Sequence, residues 1–272
     1  MDLSRELAVA IDLARRAGAK ICEHYAEDFA VEYKSHGDPV TQADKDADTI
    51  IVNGLHAAYP DDGILAEESG ASNGRHAKRR LWCIDPLDGT REFVDRNGQF
   101  VVMVGLAIDG EARLGVVYQP TMNTLYAGYG TTAFVEKDGM RSPLRPSKKT
   151  TMADAVVVAS RSHLSQTVAQ IAKQLGVARI DQVGSVGLKM ARVASSDADI
   201  YISASDKTHE WDACAPEAIL RAAGGRVTDT FGDPLRYNKQ ETRTPRGMLA
   251  TNGSLHAAVL DIAASHVRHR LK

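Results

Sequence analysis

The sequence predicts an α/β (α+β) protein of stacked layers, one compact unit in two halves, 1–145 and 146–272. Three observations point there. Apolar residues recur at three- and four-residue steps near the N-terminus. A series of short β-rich runs separated by Gly and Pro turns fills the middle. Strand and helix patterns then alternate from residue 155 onward. With 272 residues the chain can form one large domain or two packed lobes, each burying its own core.

Leu3, Leu7, Ala10, Ile11, Ala14, Ala17 and Ile21 share one helical face, which predicts an amphipathic helix over about 3–27. After a break at Gly37-Asp38-Pro39, residues 44–58 read as a second helix with Thr41 as N-cap, and a loop joins the two. Strands follow at 63–66, 80–84, 100–108, 113–119, 124–128 and 133–136, a meander in its later part. Residues 141–152, with Pro143, Pro146 and two lysines, mark the boundary between the halves. Beyond it, strands are expected at 156–160, 179–183, 200–203, 226–229 and 247–250. Helices are expected near 164–175, from about 186, at 212–223 and at 254–267.

Composition removes several function classes. Thirty-three Lys and Arg against 35 Asp and Glu leave a formal charge of -2, so no positive field gathers a nucleic acid polymer. No stretch approaches the ~20 apolar residues of a membrane span, and the mixed N-terminus lacks a secretory apolar core, so the expected compartment is the cytoplasm. Cys22, Cys83 and Cys214 form no CxxC pair and read as buried thiols. Gly128-x-Gly130 lacks a third glycine at dinucleotide spacing, and His266-x-x-His269 reads as a polar helix tail.

The chemistry concentrates in Trp82-Cys83-Ile84-Asp85-Pro86-Leu87-Asp88-Gly89-Thr90, an apolar strand running into two carboxylates on a Pro- and Gly-bounded turn. Carboxylates at a strand end lose solvation unless a cation joins them. The spacing lets Asp85, Asp88 and the Leu87 carbonyl face one point, an all-oxygen set that suits magnesium better than imidazole-seeking metals. Separate Asx-turns would explain each aspartate equally locally. Two further acidic features stand near: Glu67-Glu68-Ser69 after the strand 63–66, and Glu210-Trp211-Asp212 at a helix start, where Asp212 also reads as a cap or first-turn anion.

Taken together and in order, Glu67-Glu68-Ser69, the Asp85–Thr90 run, and Trp211-Asp212 followed by an Ala-rich helix and Gly224-Gly225 resemble the metal-dependent, lithium-sensitive phosphomonoesterases of the inositol monophosphatase superfamily. The likeness covers nearly the whole chain and implies an αβαβα sandwich, sugar-phosphatase-like, with the site in the cleft between the halves. It further implies two to three Mg²⁺ ions: Glu67, Asp85 and the Leu87 carbonyl on a first, Asp85, Asp88 and Asp212 on a second, and Asp44 helping to hold a third while pairing with Thr90. Water is then the nucleophile, with Asp44, Thr90 and Glu67 in catalytic roles, and Leu87, Asp88, Gly89, Thr90 and Asp212 bordering the phosphate. A homodimer is the oligomer the likeness favours.

Finer features resemble the 3′(2′),5′-bisphosphate nucleotidase branch: Asp88-Gly89-Thr90-Arg91-Glu92-Phe93 with Arg96-Asn97-Gly98, Ser160-Arg161-Ser162-His163, and Pro234-Leu235-Arg236-Tyr237-Asn238. Ser185 and Lys189 resemble that branch's serine and lysine for the bisphosphate, with His163 as a third substrate contact. Where the inositol-specific branch has a glutamate seven residues before the Trp-Asp aspartate, this chain has Ser205. Ser203 stands where some nucleotidases carry an arginine, so Lys207 or Arg161 would have to supply that charge. The resemblance therefore implies hydrolysis of the 3′-phosphate of 3′-phosphoadenosine 5′-phosphate, with an inositol or sugar phosphate as the alternative substrate. It also admits a non-catalytic role in binding transcription machinery, as in some relatives.

Overall fold

The computed structural model describes residues 1–33, 39–162 and 164–268. The first half contains α1 (Ser4–Ala26), β1 (Val31–Tyr33), β2 (Pro39–Thr41), α2 (Gln42–Ala58), β3 (Gly63–Ala66), β4 (Gly70–Ala71), β5 (Arg80–Asp88), α3 (Thr90–Val94), β6 (Val101–Ile108), β7 (Glu111–Gln119), β8 (Thr124–Tyr129), β9 (Thr132–Lys137) and β10 (Met140–Pro143). The second contains β11 (Val156–Ser160), α4 (Gln166–Leu175), β12 (Arg179–Val183), α5 (Val186–Ala194), β13 (Ile200–Ser203), α6 (Glu210–Ala223), β14 (Arg226–Thr228), β15 (Met248–Thr251) and α7 (His256–Arg268).

An eight-stranded sheet runs in the order β10-β9-β8-β7-β6-β5-β3-β4, and a five-stranded sheet in the order β12-β11-β13-β15-β14. The helix pair α1 and α2 covers one face of the larger sheet through Ile21, Ile51, Leu55, Trp82 and Val104. α5 and α6 cover its other face and meet the smaller sheet behind them. α4 and α7 close the far side through Val168, Ile171, Leu249 and Val259. The result is the five-layer αβαβα order. Because helices lie on both faces, β6 is buried at every position, and its sequence VVMVGLAI is apolar throughout instead of alternating. Gly115 sets the spacing on the inner face: a Cβ there would stand 2.0 Å from the Ala215 carbonyl oxygen, so α6 can lie on β7 only over glycine.

Three local differences from the sequence reading matter. The expected loop between the first two helices includes an antiparallel pair, β1 with β2. The meander holds from β5 to β10, but β3 joins β5 in parallel, with β4 folded back as the sheet edge. Most consequentially, Asp85 and Asp88 do not lie on a turn. They stay in β5, where Asp85 pairs Met103 and Asp88 pairs Val101, so three steps on one strand face two on the other. This is a β-bulge, and Pro86, with no N–H for the ladder, sits inside it.

Candidate active site

The bulge re-aims β5 at the point where it would otherwise continue flat. Asp85 is buried, and its Oδ1 accepts the Leu87 N–H at 3.0 Å, closing an Asx-turn over Pro86. Asp88, also buried, accepts the Ser185 hydroxyl and the Gly187 N–H, the latter at 2.7 Å. Those donors belong to the first turn of α5, so Asp88 ties the two halves together at the start of a helix. Immediately after it, Gly89 takes φ 99°, and its missing Cβ would lie 3.1 Å from the Gln99 carbonyl, which leaves this turn to glycine.

Asp212 enters from the other side at the third position of α6, where its Oδ2 accepts the His209 N–H at 2.6 Å in a capping box. Trp211 stacks on His209, ring centroids 4.3 Å apart and 4° from parallel, which fixes the entry of the helix. Glu67 stands half-buried just past β3, its N–H bonded to the Ile84 carbonyl of β5. Four carboxylates from three strand or helix ends thus converge.

Their electrostatics record the convergence. Burial, followed by the charges of Glu67, Asp88 and Asp212, pushes the Asp85 carboxyl well above its usual range. Burial and then Glu67 and Asp88 do the same to Asp212, which also hydrogen-bonds Asp85. Asp88 is raised by burial, opposed by the Ser185 bond and the charge of Lys189. Among the described residues no three His, Cys, Asp or Glu side chains already stand as a formed ligand set. The cluster is a set of oxygens whose charges act on one another, and that is the observation a divalent ion fits: hard oxygen donors without an imidazole or thiolate, drawn to one place.

Asp44, on the buried face of α2, accepts the Thr41 N–H at 2.8 Å and the Thr41 hydroxyl at 2.7 Å. Its second oxygen accepts the Thr90 hydroxyl at 2.9 Å, and Thr90 Oγ1 also lies 3.2 Å from the Leu87 carbonyl. Burial raises the Asp44 carboxyl, partly offset by these bonds. The Asp44 and Thr90 pairing that the family resemblance implies is present.

Ser185 and Lys189 are both buried. Ser185 is the N-cap of α5 at φ 61°, a left-handed backbone held by its bonds to Asp88 and to the Leu188 N–H at 3.1 Å. Its hydroxyl is therefore engaged within the protein. Lys189 faces the charges of Asp88, Glu92 and Asp212, while burial pulls its ammonium down. His163 lies outside the described residues. Sequence reading missed Asp48, a buried carboxylate one turn beyond Asp44 that faces Glu68 and Ser69, although its helical spacing from Asp44 was visible. Glu92, quoted within a motif but given no role there, is buried and accepts the Ser162 hydroxyl at 2.8 Å.

The family model described as "Inositol monophosphatase family" matches residues 2–268. The chain belongs to the inositol monophosphatase family. It is a phosphatase of that family, and the αβαβα layers are the family's fold. The 3′(2′),5′-bisphosphate nucleotidase CysQ of Escherichia coli O157:H7 is 39% identical over 236 residues, 85% of this chain and 93% of that protein. The crystal structure of CysQ from Bacteroides thetaiotaomicron, a bacterial member of the same family, superposes with a TM-score of 0.78 at 33% identity, covering 92% of this chain and 98% of that one. The inositol-1-monophosphatase of Bacillus subtilis is 28% identical over 256 residues, 91% of this chain and 92% of that protein. No helix among the described residues is long and apolar enough to cross a membrane.

Proposed function

We propose that this chain is a Mg²⁺-dependent phosphomonoesterase that hydrolyses the 3′-phosphate of 3′-phosphoadenosine 5′-phosphate to AMP and phosphate, acting in the cytoplasm as a homodimer. The single observation that carries the chemistry is the convergence of Glu67, Asp85, Asp88 and Asp212, whose charges act on one another and which divalent ions would bridge. Glu67, Asp85, the Leu87 carbonyl, Asp88 and Asp212 would hold two ions, with Asp44 beside a third. Magnesium bound there supplies a water of lowered pKa and neutralises charge on the phosphate and leaving oxygens.

The chain's own groups do the rest. Thr90 commits its hydroxyl proton to Asp44, so its lone pairs are free to accept a proton from the attacking water. Asp44, raised by burial and anchored by Thr41, is the base that receives it. Gly89 lets the backbone approach the phosphate, and the N–H groups of the first turn of α3 offer it donors. Ser185 serves by fixing Asp88. Lys189 brings a buried positive charge to the second phosphate, with His163 as a further contact.

The nucleotide substrate is favoured by likeness to the CysQ relatives and by position 205. Position 205 carries a serine, whose hydroxyl accepts the Lys207 N–H at 3.1 Å, where the inositol-specific branch has a glutamate. The test is kcat/KM on 3′-phosphoadenosine 5′-phosphate against inositol 1-phosphate with Mg²⁺. The expected preference for the nucleotide is on the order of a hundredfold or more. A comparable preference for inositol 1-phosphate would overturn the substrate assignment.

A further inference from the structure

Lys189 poses a physical problem that its surroundings answer. A buried ammonium on a flexible four-carbon stem, facing Asp88, Glu92 and Asp212, would ordinarily fold onto one of them and spend its charge in an internal ion pair. Among the described residues no carboxylate lies within ion-pair distance of its Nζ. Instead Nζ lies 5.4 Å from the centroid of the Tyr201 ring, inside the range of a cation–π contact. Lys189 is 5% exposed and Tyr201 4%, so this contact is shielded from water, where it is strongest. The two residues come from different elements, α5 and β13, which pack on each other. The ammonium stands over the ring itself, so it is the ring face that meets the lysine.

We infer that Tyr201 is a positioning residue for substrate binding: its ring holds the Lys189 ammonium off the neighbouring carboxylates and keeps the three N–H donors available to an anionic substrate group. The inference rests on Lys189 being a phosphate-binding residue, as read above. The ring acts on the substrate only through the lysine, so its loss raises KM and leaves the chemical step in place.

The experiment is a double-mutant cycle with 3′-phosphoadenosine 5′-phosphate at saturating Mg²⁺. Lys189→Met raises KM. Tyr201→Leu raises it by about tenfold with kcat changed less than about threefold. The double variant behaves like Lys189→Met alone, and Tyr201→Phe, which restores the ring without the hydroxyl, recovers most of the wild-type KM. An unchanged KM in Tyr201→Leu, or effects of the two substitutions that simply multiply, overturns the inference. An unchanged KM in Lys189→Met overturns instead the reading on which it rests. Should Tyr201→Leu fail to fold, phenylalanines carrying increasing numbers of fluorines at position 201 keep the shape while draining the ring face. KM rising with each fluorine supports the inference, and a flat series contradicts it.

Discussion

Helix α6 carries Asp212, half-buried in its first turn, and the fully buried Glu217 five residues later, and the two acidic environments are built on opposite principles. At Glu217 the carboxylate is satisfied: Tyr237 donates its hydroxyl, and Arg221 stands at 3.4 Å one turn along the helix. At Asp212 the charges of Glu67 and Asp88 press on the carboxyl, which also hydrogen-bonds Asp85. The first is an internally balanced polar contact that joins α6 to the segment around Tyr237. The second draws like charges to one place, an arrangement that a bound divalent ion would offset. Burial alone does not distinguish a functional carboxylate from a structural one; the identity of its nearest partners does.

The contrast can be broken most forcefully at Asp85. Asp85→Asn removes the oxygen shared by both proposed ions, and steady-state turnover should fall on the order of a thousandfold, whereas Glu217→Gln should leave it within about twofold. Thr90→Ala comes next, with kcat lower by roughly 10²- to 10⁴-fold and circular dichroism unchanged, since Asp44 keeps its Thr41 bonds but loses the group proposed to relay the proton. Turnover near wild type in either variant would contradict the assigned roles.

Stability sharpens the same comparison. Mg²⁺ at about one hundred times its Kd should stabilise the protein by about 2.7 kcal/mol, read as a higher Tm, and Asp85→Asn should lose that response. In EDTA, Asp85→Asn should melt above the wild type because it relieves repulsion. The sign with pH follows from the raised carboxyls: Asp85 and Asp212 bind protons more tightly folded than unfolded. The stability they contribute is therefore present below the unfolded value of 3.8 and lost as pH rises through the folded values. Melting in EDTA should weaken with rising pH, and Mg²⁺ should suppress the trend.

The smallest expected effect belongs to Glu217, whose carboxyl burial lifts from 4.5 to about 7. With Mg²⁺ saturating, its share of stability is full below pH 4.5 and is lost as pH rises from there through about 7. Glu217→Gln should flatten that part of the Tm profile between pH 5 and about 8; an identical slope in both proteins would remove Glu217 as its source.

Much of this was legible in one dimension because the signals are local. The stripe from Leu7 to Ile21 encodes a helix, Thr41 followed three residues later by Asp44 encodes a cap, and Asp85 with Asp88 marks two carboxylates close enough for their charges to interact. What stayed hidden depends on partners distant in sequence. The bulge exists only through the pairing of Asp85 and Asp88 with Met103 and Val101. The engagement of Ser185 by Asp88 spans 97 residues, and the contact of Tyr201 with Lys189 needs a strand laid against a helix. Tyr237 meeting Glu217 likewise requires α6 to be docked first. Short edge strands such as β4 and β10 carry too little apolar surface to announce themselves.

The central claim is that the acidic cluster at the start of α6 holds divalent ions and the satisfied carboxylate five residues later does not. Anomalous diffraction from crystals grown with Mn²⁺ in place of Mg²⁺ tests it most directly. Peaks should lie among Glu67, Asp85, Asp88, Asp212 and the Leu87 carbonyl, with none beside Glu217. A catalytically active crystal without anomalous density among those carboxylates would contradict the account.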